Sequence, residues 1–502
     1  MTTNEIYDVV IIGGGINGAG IARDGALRGL KILLCEQADL AFGTSSRSSK
    51  LIHGGIRYLE NFEFLMVRKA LKERDILYRN APNVISPLKL VLPYEPRHRK
   101  AWVIDVGLWL YDHLYSSQYF PKSKKIYFCQ DVVGDSLKAT FTKGFSYFDA
   151  WADDARLVLN NLLGAHEAGA TILTHTLFKS AANDGAFWHI ELENLITHEI
   201  THVKAHCVIN AAGPWVDEVL NYRLKQGISK KLKLVKGSHL IFKRFYPGEQ
   251  AYVLQNQDGR IVFVLPYYRD FVMVGTTEVS YTAPMGMVGI TSEEENYLLN
   301  TLNQYFKRRL LPEDVLHRYA GVRPLLANNK KNLSKNSRDY QFELTKKDHT
   351  LLVSILGGKL TTHRILAEEV LDALKSYFPH MGACVTRTQS LPGALSLQDY
   401  SKEKEALAKQ YAFLPPTLFQ HYLSTYGTRM VLFLKDAQDC QQLGIHFGHD
   451  LYQVEVDYLL TQEWARNSDD ILWRRTKLGL YFTAAQAQYL EEYCACVILR
   501  ET

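Results

Sequence analysis

The chain has 502 residues, of which 47% are hydrophobic and 22% charged, and a net charge of +5. This is an ordinary globular composition, too long for one core, so two or three domains are expected. The mild positive charge suits an anionic ligand, with no nucleic-acid partner expected; no apolar run is long enough to span a bilayer, and no leader is expected ahead of the first strand. Seven scattered cysteines, with no C-x-x-C pair, read as reduced thiols of a cytosolic protein with no metal site.

Taken in chain order, "IYDVVIIGGGINGAGIARDGALRGLKILLCE" comes first. Tyr7 to Ile12 is an apolar run of the kind a buried parallel strand requires. Gly13, Gly15 and Gly18 fit G-x-G-x-x-G, with Gly14 and Asn17 in the same turn, and a helix is expected from Asn17 to Arg28. Such glycines allow a tight turn, close approach of a pyrophosphate to the backbone, and close packing of helix on strand. Lys31 to Cys35 predicts the next strand, and Glu36 at its end would accept hydrogen bonds from a ribose diol while repelling a 2′-phosphate. The unit therefore argues for NAD or FAD and against NADP.

"GTSSRSSKLIHGGIRYLE" follows, where Ser45, Ser46, Ser49 and Lys50 offer donors to a ligand. Gly54 and Gly55 would bring backbone close to something flat, with His53 before them and Arg57–Tyr58 after. Pro, Lys and aromatic residues crowd from Pro87 to Lys125. Within this stretch, Arg97 to Lys125 carries Trp102 and Trp109 on a helical apolar face flanked by bases; it reads equally as an interfacial anchor or as a buried cap helix. "HCVINAAGPW" predicts a strand ending in Ala212 and Gly213, small enough to pass beneath a dinucleotide. Leu232 to Val279 is β-rich and ends in "VGTTEV". "LLVSILGGKLTTHRILAEEV" is again strand, then Gly357–Gly358, then Lys359, Leu360 and a helix. NAD has no use for this distant second helix N-terminus, whereas a flavin reaching beyond the first unit does. FAD is the better reading. After Ser390 to Ala394 the pattern turns helical, placing a boundary near residue 388.

Together "IIGGGINGAGIARDGALRGL", "TSSRSSKLIHGGIRYLE", "WADDARLVL", "NAAGPWVDEV", "KGSHLIF", "RIVFVLPY", "VGTTEV", "GVRPLL" and "GGKLTTHR" resemble the FAD-dependent aerobic glycerol-3-phosphate dehydrogenases of bacteria. "WRRTKLGL" near the C-terminus is similar but less distinctive. The resemblance implies an α/β protein: a discontinuous Rossmann-like FAD domain of the glutathione-reductase/D-amino-acid-oxidase type (1–80, 145–220, 330–388), an inserted β-rich substrate domain (81–144, 221–329) and a C-terminal helical domain (389–502). It implies oxidation of sn-glycerol 3-phosphate to dihydroxyacetone phosphate, with electrons passing to a membrane quinone. It also implies a homodimer held peripherally on the anionic cytoplasmic face of the inner membrane. Ala212 stands where the family pattern has Thr, and His363 where it has Tyr.

A small phosphomonoester in a dry flavin pocket needs fixed cations. Arg57, Arg323 and Lys359 are the candidates, with Tyr58 and Thr276 lining the substrate. Alcohol oxidation also needs a base for the hydroxyl proton, and His239 is expected in that role ahead of His53. Oxygen in place of quinone would make the enzyme an oxidase with the same pocket, and a related amine or amino-acid oxidase would bind a carboxylate with one arginine.

Overall fold

The computed structural model describes residues 5–96, 100–227, 232–286, 288–326 and 339–501. Strand Ile6–Ile12 lies between Ile32–Cys35 and Ile200–Asn210, parallel to both. Thr171–Leu173 and Thr350–Gly357 extend the parallel sheet at its flanks, and Tyr340–Lys347 closes one edge antiparallel. Alternation along a strand sends successive side chains to opposite faces. Val9 and Ile11 accordingly join a core under helices Ile16–Leu27, Asp154–Glu167 and His363–Leu374. Val10 and Ile12 instead pack against Phe178, Trp188, Ile190 and Leu192 of the meander Thr176–Asn183, Trp188–Asn194, Ile200–Asn210. The first helix is wedged between the other two, which is why it is built from Gly and Ala where a surface helix would carry larger residues. A methyl on Gly18 would lie 2.0 Å from the carbonyl oxygen of Gly13.

A second, larger sheet is built from other strands. Leu232–Lys243 runs antiparallel to Val315–Leu326 and to Phe271–Gly275. Ile261–Tyr267, Ala251–Gln255, Ile85–Pro93 and Lys143–Ala152 complete most of it. Helices Phe64–Asn80 and Ala101–Leu114 share one hydrophobic core with this sheet, and helix Ser292–Tyr305, started by a Thr291–Glu294 capping box, shares another. Residues 145–152, expected in the nucleotide domain, belong instead to this sheet, because Lys143–Ala152 pairs with Ile85–Pro93 along its whole length. An apolar strand does not reveal from its sequence which sheet will take it. The crossing to the first sheet comes immediately afterwards, where Asp153 caps helix Asp154–Glu167 by accepting from Arg156 N at 3.0 Å.

The C-terminal part has its own core around helices Tyr400–Gln410, Pro416–Tyr426, Gln453–Gln462 and Ala484–Glu501. The division expected at residue 330, and residues 97–99 of the aromatic stretch, fall outside the described residues. Among the described residues no helix is long and apolar enough to cross a membrane.

Gly18→Ala is expected to destabilise the protein by about 1–3 kcal/mol through overpacking of the first turn. Gly107→Ala, at a helical position where a methyl meets nothing within 4 Å, is expected to stabilise slightly, by about 0.5–1 kcal/mol. Thermal denaturation of the two variants side by side checks the contrast.

Candidate active site

One cavity runs from the first glycine turn, across the top of the first sheet, to the near face of the second. Gly13, at φ +109°, would drive a Cβ to 2.8 Å from the carbonyl oxygen of Ala211, so only glycine lets the two strand ends come together. Gly15, Asn17, Ala212 and Gly213 line the cavity, and a Cβ on Gly213 would enter open space. Gly14 lies just behind, its N–H donating to Glu36 Oε2 at 2.7 Å, while Ala38 N donates to Oε1 at 2.9 Å. Burial raises the Glu36 pKa and these two N–H groups oppose it. The carboxylate faces the cavity with lone pairs to spare, as a ribose diol needs.

The second turn comes from 340 residues away. Gly357 (φ +78°) and Gly358 (φ +116°) precede Lys359 and the turn Leu360–Thr362, which leads into helix His363–Leu374. Asn17 Nδ2 donates to Gly357 O at 3.1 Å and so fastens the two turns together. Asn17 Oδ1 is buried without a partner and calls for a donor from within the cavity. These features fit FAD: two glycine turns open to phosphate and ribityl chain, a carboxylate for the ribose, and an orphaned acceptor beside both.

The serine-rich loop forms one wall. Ser45 Oγ accepts from Ile16 N at 2.9 Å and thereby ties the loop to the start of the first helix. Ser49 lines the cavity, whereas Ser46 turns away and offers its carbonyl to Lys50 Nζ at 3.3 Å. Lys50 is fully buried in an ion pair with Asp154, 2.8 Å from each carboxylate oxygen. Gly54 and Gly55 lie off the cavity wall. A methyl on Gly54 would strike Leu71 and the Tyr111 hydroxyl at 2.7 Å, and one on Gly55 would strike the Tyr58 ring, so both glycines make room for packed side chains. His53 does line the cavity, held through its backbone N–H by Thr361 Oγ1 at 3.1 Å.

The second sheet supplies Arg323, Thr276 and Phe263 to the same cavity. A Cβ on Gly237 would sit 3.2 Å from Arg323 Nη2 and 2.4 Å from Thr276 Oγ1, so this glycine makes room for both. From the flavin side come Tyr58 and Lys359, whose Nζ lies over the Tyr58 ring at 4.3 Å. Arg57 is placed differently from expectation. It donates to the Gly259 carbonyl at 3.1 Å, in the turn between two strands of the second sheet, and does not line the cavity.

His239 also differs from expectation. It is fully buried, stacks on Tyr319 with ring centroids 4.8 Å apart, and reaches the cavity only through Ser49, whose Oγ lies 2.9 Å from Nε2. Burial first, then Arg323 and Lys50, push its pKa well below the ordinary value. A histidine flanked by glycine and aliphatic residues gave no hint that its ring points behind the wall. Thr361 and the Ser48–Asp154 bond, Oγ to Oδ2 at 2.8 Å, were not singled out from sequence. His363, the departure from the family pattern, is a core residue. Its Nδ1–H donates to Leu360 O at 2.8 Å, which leaves Nε2 to accept from Asn161 Nδ2 at 3.4 Å. Burial lowers its pKa to about 4.

Residues 8–388 match the family described as FAD dependent oxidoreductase, and residues 384–498 match the C-terminal domain of alpha-glycerophosphate oxidase. The chain is 45% identical to a glycerol-3-phosphate dehydrogenase of Pseudomonas aeruginosa, over 97% of this chain and 95% of that one. It is 44% identical to a D-erythritol 1-phosphate dehydrogenase of Brucella abortus, over 98% of each. The structure of the glycerol-3-phosphate dehydrogenase from Bacillus halodurans complexed with FAD superimposes with a TM-score of 0.76 at 28% identity, covering 100% of this chain and 91% of that one.

His363 makes stability depend on pH. The folded state holds fewer protons than the unfolded one between pH 6.5 and about 4, so its contribution is complete above 6.5 and is lost as pH falls. The loss approaches about 3 kcal/mol near the folded pKa. His363→Gln, which keeps a donor and an acceptor, is expected to flatten part of the decline between pH 7 and 5, as read by denaturant unfolding at each pH.

Proposed function

Because this chain belongs to the FAD-dependent oxidoreductase family, we propose that it dehydrogenates a phosphorylated polyol, with sn-glycerol 3-phosphate as substrate and dihydroxyacetone phosphate as product. The observation that carries this reading is the meeting of Arg323 and Lys359 on one cavity, from opposite domains, beside the second glycine turn. A phosphomonoester of nearly two negative charges needs such a pair, and the guanidinium fork matches two phosphate oxygens. A carboxylate substrate would be served by one arginine. The identity to an erythritol phosphate dehydrogenase, level with that to glycerol-3-phosphate dehydrogenases, keeps a four-carbon polyol phosphate within the same class.

FAD, when bound, supplies the two-electron acceptor. The chain's own residues do the rest. Arg323 and Lys359 hold the phosphate, and the Tyr58 ring beneath Lys359 Nζ fixes that ammonium in place. Thr276, at the end of strand Phe271–Gly275 within the second sheet, offers a hydroxyl to the polyol chain. His53 takes the hydroxyl proton, since it is the histidine on the cavity wall, and Thr361 holds its backbone. His239 stays neutral behind the wall and orients Ser49.

For the acceptor we favour a membrane quinone. Phe62 and Leu65 are 79% and 82% exposed, and Trp102 and Trp109, on the neighbouring helix, 63% and 58%. A patch of this kind supports peripheral docking on an anionic bilayer at the cytoplasmic face of the inner membrane. The resemblance adds a homodimer. The match to an oxidase C-terminal domain favours a second reading, with oxygen as acceptor.

Anaerobic titration of the oxidised flavin spectrum tests the substrate class. Bleaching is expected with sn-glycerol 3-phosphate or erythritol phosphate and not with glycerol; bleaching by a D-amino acid instead would overturn the reading. Readmitting quinone or oxygen then separates the two acceptors. Arg323→Met is expected to raise KM for the polyol phosphate about 10- to 100-fold, in line with a lost charge-assisted bond. His53→Asn is expected to lower turnover by about 10²–10⁴ with a small change in KM. Steady-state kinetics at saturating FAD checks both.

A further inference from the structure

We propose that the C-terminal domain is the positioning element of the FAD site, acting through a buried ionic clamp formed by Arg474, Arg475 and Lys477. The three basic residues of "WRRTKLGL" leave the C-terminal domain's core and end on carboxylates of the nucleotide domain, all but shut off from solvent. Arg475 Nη2 lies 2.8 Å from Asp39 Oδ1 and 2.7 Å from the Glu463 carbonyl, with Nη1 2.5 Å from Asp39 Oδ2. Arg474 joins the same Asp39 carboxylate and also Asp470. Burial pushes the Asp39 carboxyl up, and the two guanidinium groups outweigh it and hold it below the ordinary carboxylate range.

Asp39 is three residues beyond Glu36. The segment that follows it is pinned to the first glycine turn, with Ala41 N donating to Gly14 O at 3.1 Å, and it continues into Phe42, which lines the cavity. Lys477 acts on the second wall. Its Nζ lies 2.9 Å from Asp153 Oδ1, the same oxygen that caps helix Asp154–Glu167. The next residue, Asp154, holds Lys50 Nζ and the N–H and Oγ of Ser48, so this clamp fixes the serine-rich loop. A third tie runs the opposite way: Arg156 of that helix pairs with Glu463, whose carbonyl Arg475 grips. Cations and carboxylates balance across the cluster, so no buried charge is left over.

Removing one partner of such a buried pair strands the other, whereas removing both is mild. Because Asp39 and Asp153–Asp154 each hold a wall of the FAD cavity, the strain of a broken clamp falls on FAD affinity. Substrate affinity is left alone, since Arg323 and Lys359, the two cations for the phosphate, hang from other elements. Nothing in the proposal depends on which polyol phosphate is oxidised.

The test is FAD titration of full-length apoprotein, followed by quenching of flavin fluorescence, together with kinetics at saturating FAD. Arg475→Gln and Lys477→Met are expected to raise the Kd for FAD about tenfold or more, with KM for the polyol phosphate unchanged. Asp39→Asn/Arg475→Gln, which removes both charges, is expected to recover most of the affinity. Arg269→Ala serves as control. It breaks a contact with Asp450 that joins the C-terminal domain to the second sheet, away from the clamp, and is expected to leave the Kd alone. If Arg475→Gln does not fold, Arg475→Lys carries the test, since it keeps the charge but loses the fork and should still weaken FAD binding. Wild-type Kd in the folded single variants would overturn the proposal, as would an equal loss in Arg269→Ala or a rise in KM without a change in Kd.

Discussion

Everything in this molecule hangs on bringing two glycine turns, 340 residues apart in sequence, to a common edge where bare backbone can meet a dinucleotide. The bond from Asn17 Nδ2 to the Gly357 carbonyl closes that edge. It requires Gly13 and Gly358 to be bare, because a side chain at either would meet Ala211 or Asn17. It requires the first helix to carry small residues such as Gly20 where the helix following the second turn packs beside it. The small face of that helix then admits His363, whose ring lies near Gly20, is oriented by two hydrogen bonds and is kept neutral by burial.

Once the edge is fixed, the rest of the chain builds walls around it. The serine-rich loop and the segment after Glu36 have no regular secondary structure strong enough to hold their shape. They are held by side chains: Ser45 on the first helix, Lys50 and Ser48 on Asp154, Asp39 on two arginines. Buried ion pairs of this kind contribute little net stability, because desolvation offsets their attraction. Their value is directional, since each carboxylate has one place where its charge is matched. The second sheet completes the site with Arg323 and Thr276, placed by antiparallel register and by the missing side chain of Gly237.

Much of this was legible in the sequence, and the reason is physical. Gly13, Gly18, Gly357 and Gly358 answer to a turn or a close approach that leaves glycine the suitable residue, and Glu36 to its place at the end of the second strand. A fully apolar run such as Ile32–Cys35 likewise has one sensible environment. The misplaced residues answer to tertiary geometry. Gly54 and Gly55 looked like a ligand approach and prove to be packing against Tyr111, Leu71 and Tyr58. His239 was expected as the base from the chemistry of histidine and the family resemblance, and strand periodicity does not say which sheet face carries the cavity. Arg57 follows a glycine pair just as Arg323 follows a glycine, yet only Arg323 lines the cavity, because the register with the Leu232–Lys243 strand places it there. The ion pairs of Asp39 and Asp153 left no trace in the sequence, since their partners Arg474, Arg475 and Lys477 lie hundreds of residues away.

The most direct test of the central claim, that an anion clamp of Arg323 and Lys359 faces the flavin across one cavity, is a crystal structure of the FAD-loaded protein with a polyol phosphate lacking the reacting hydroxyl. The phosphate is expected within hydrogen-bonding distance of both cations, with the carbon chain running toward His53. A phosphate bound away from Arg323 and Lys359, with the flavin in place, would contradict it.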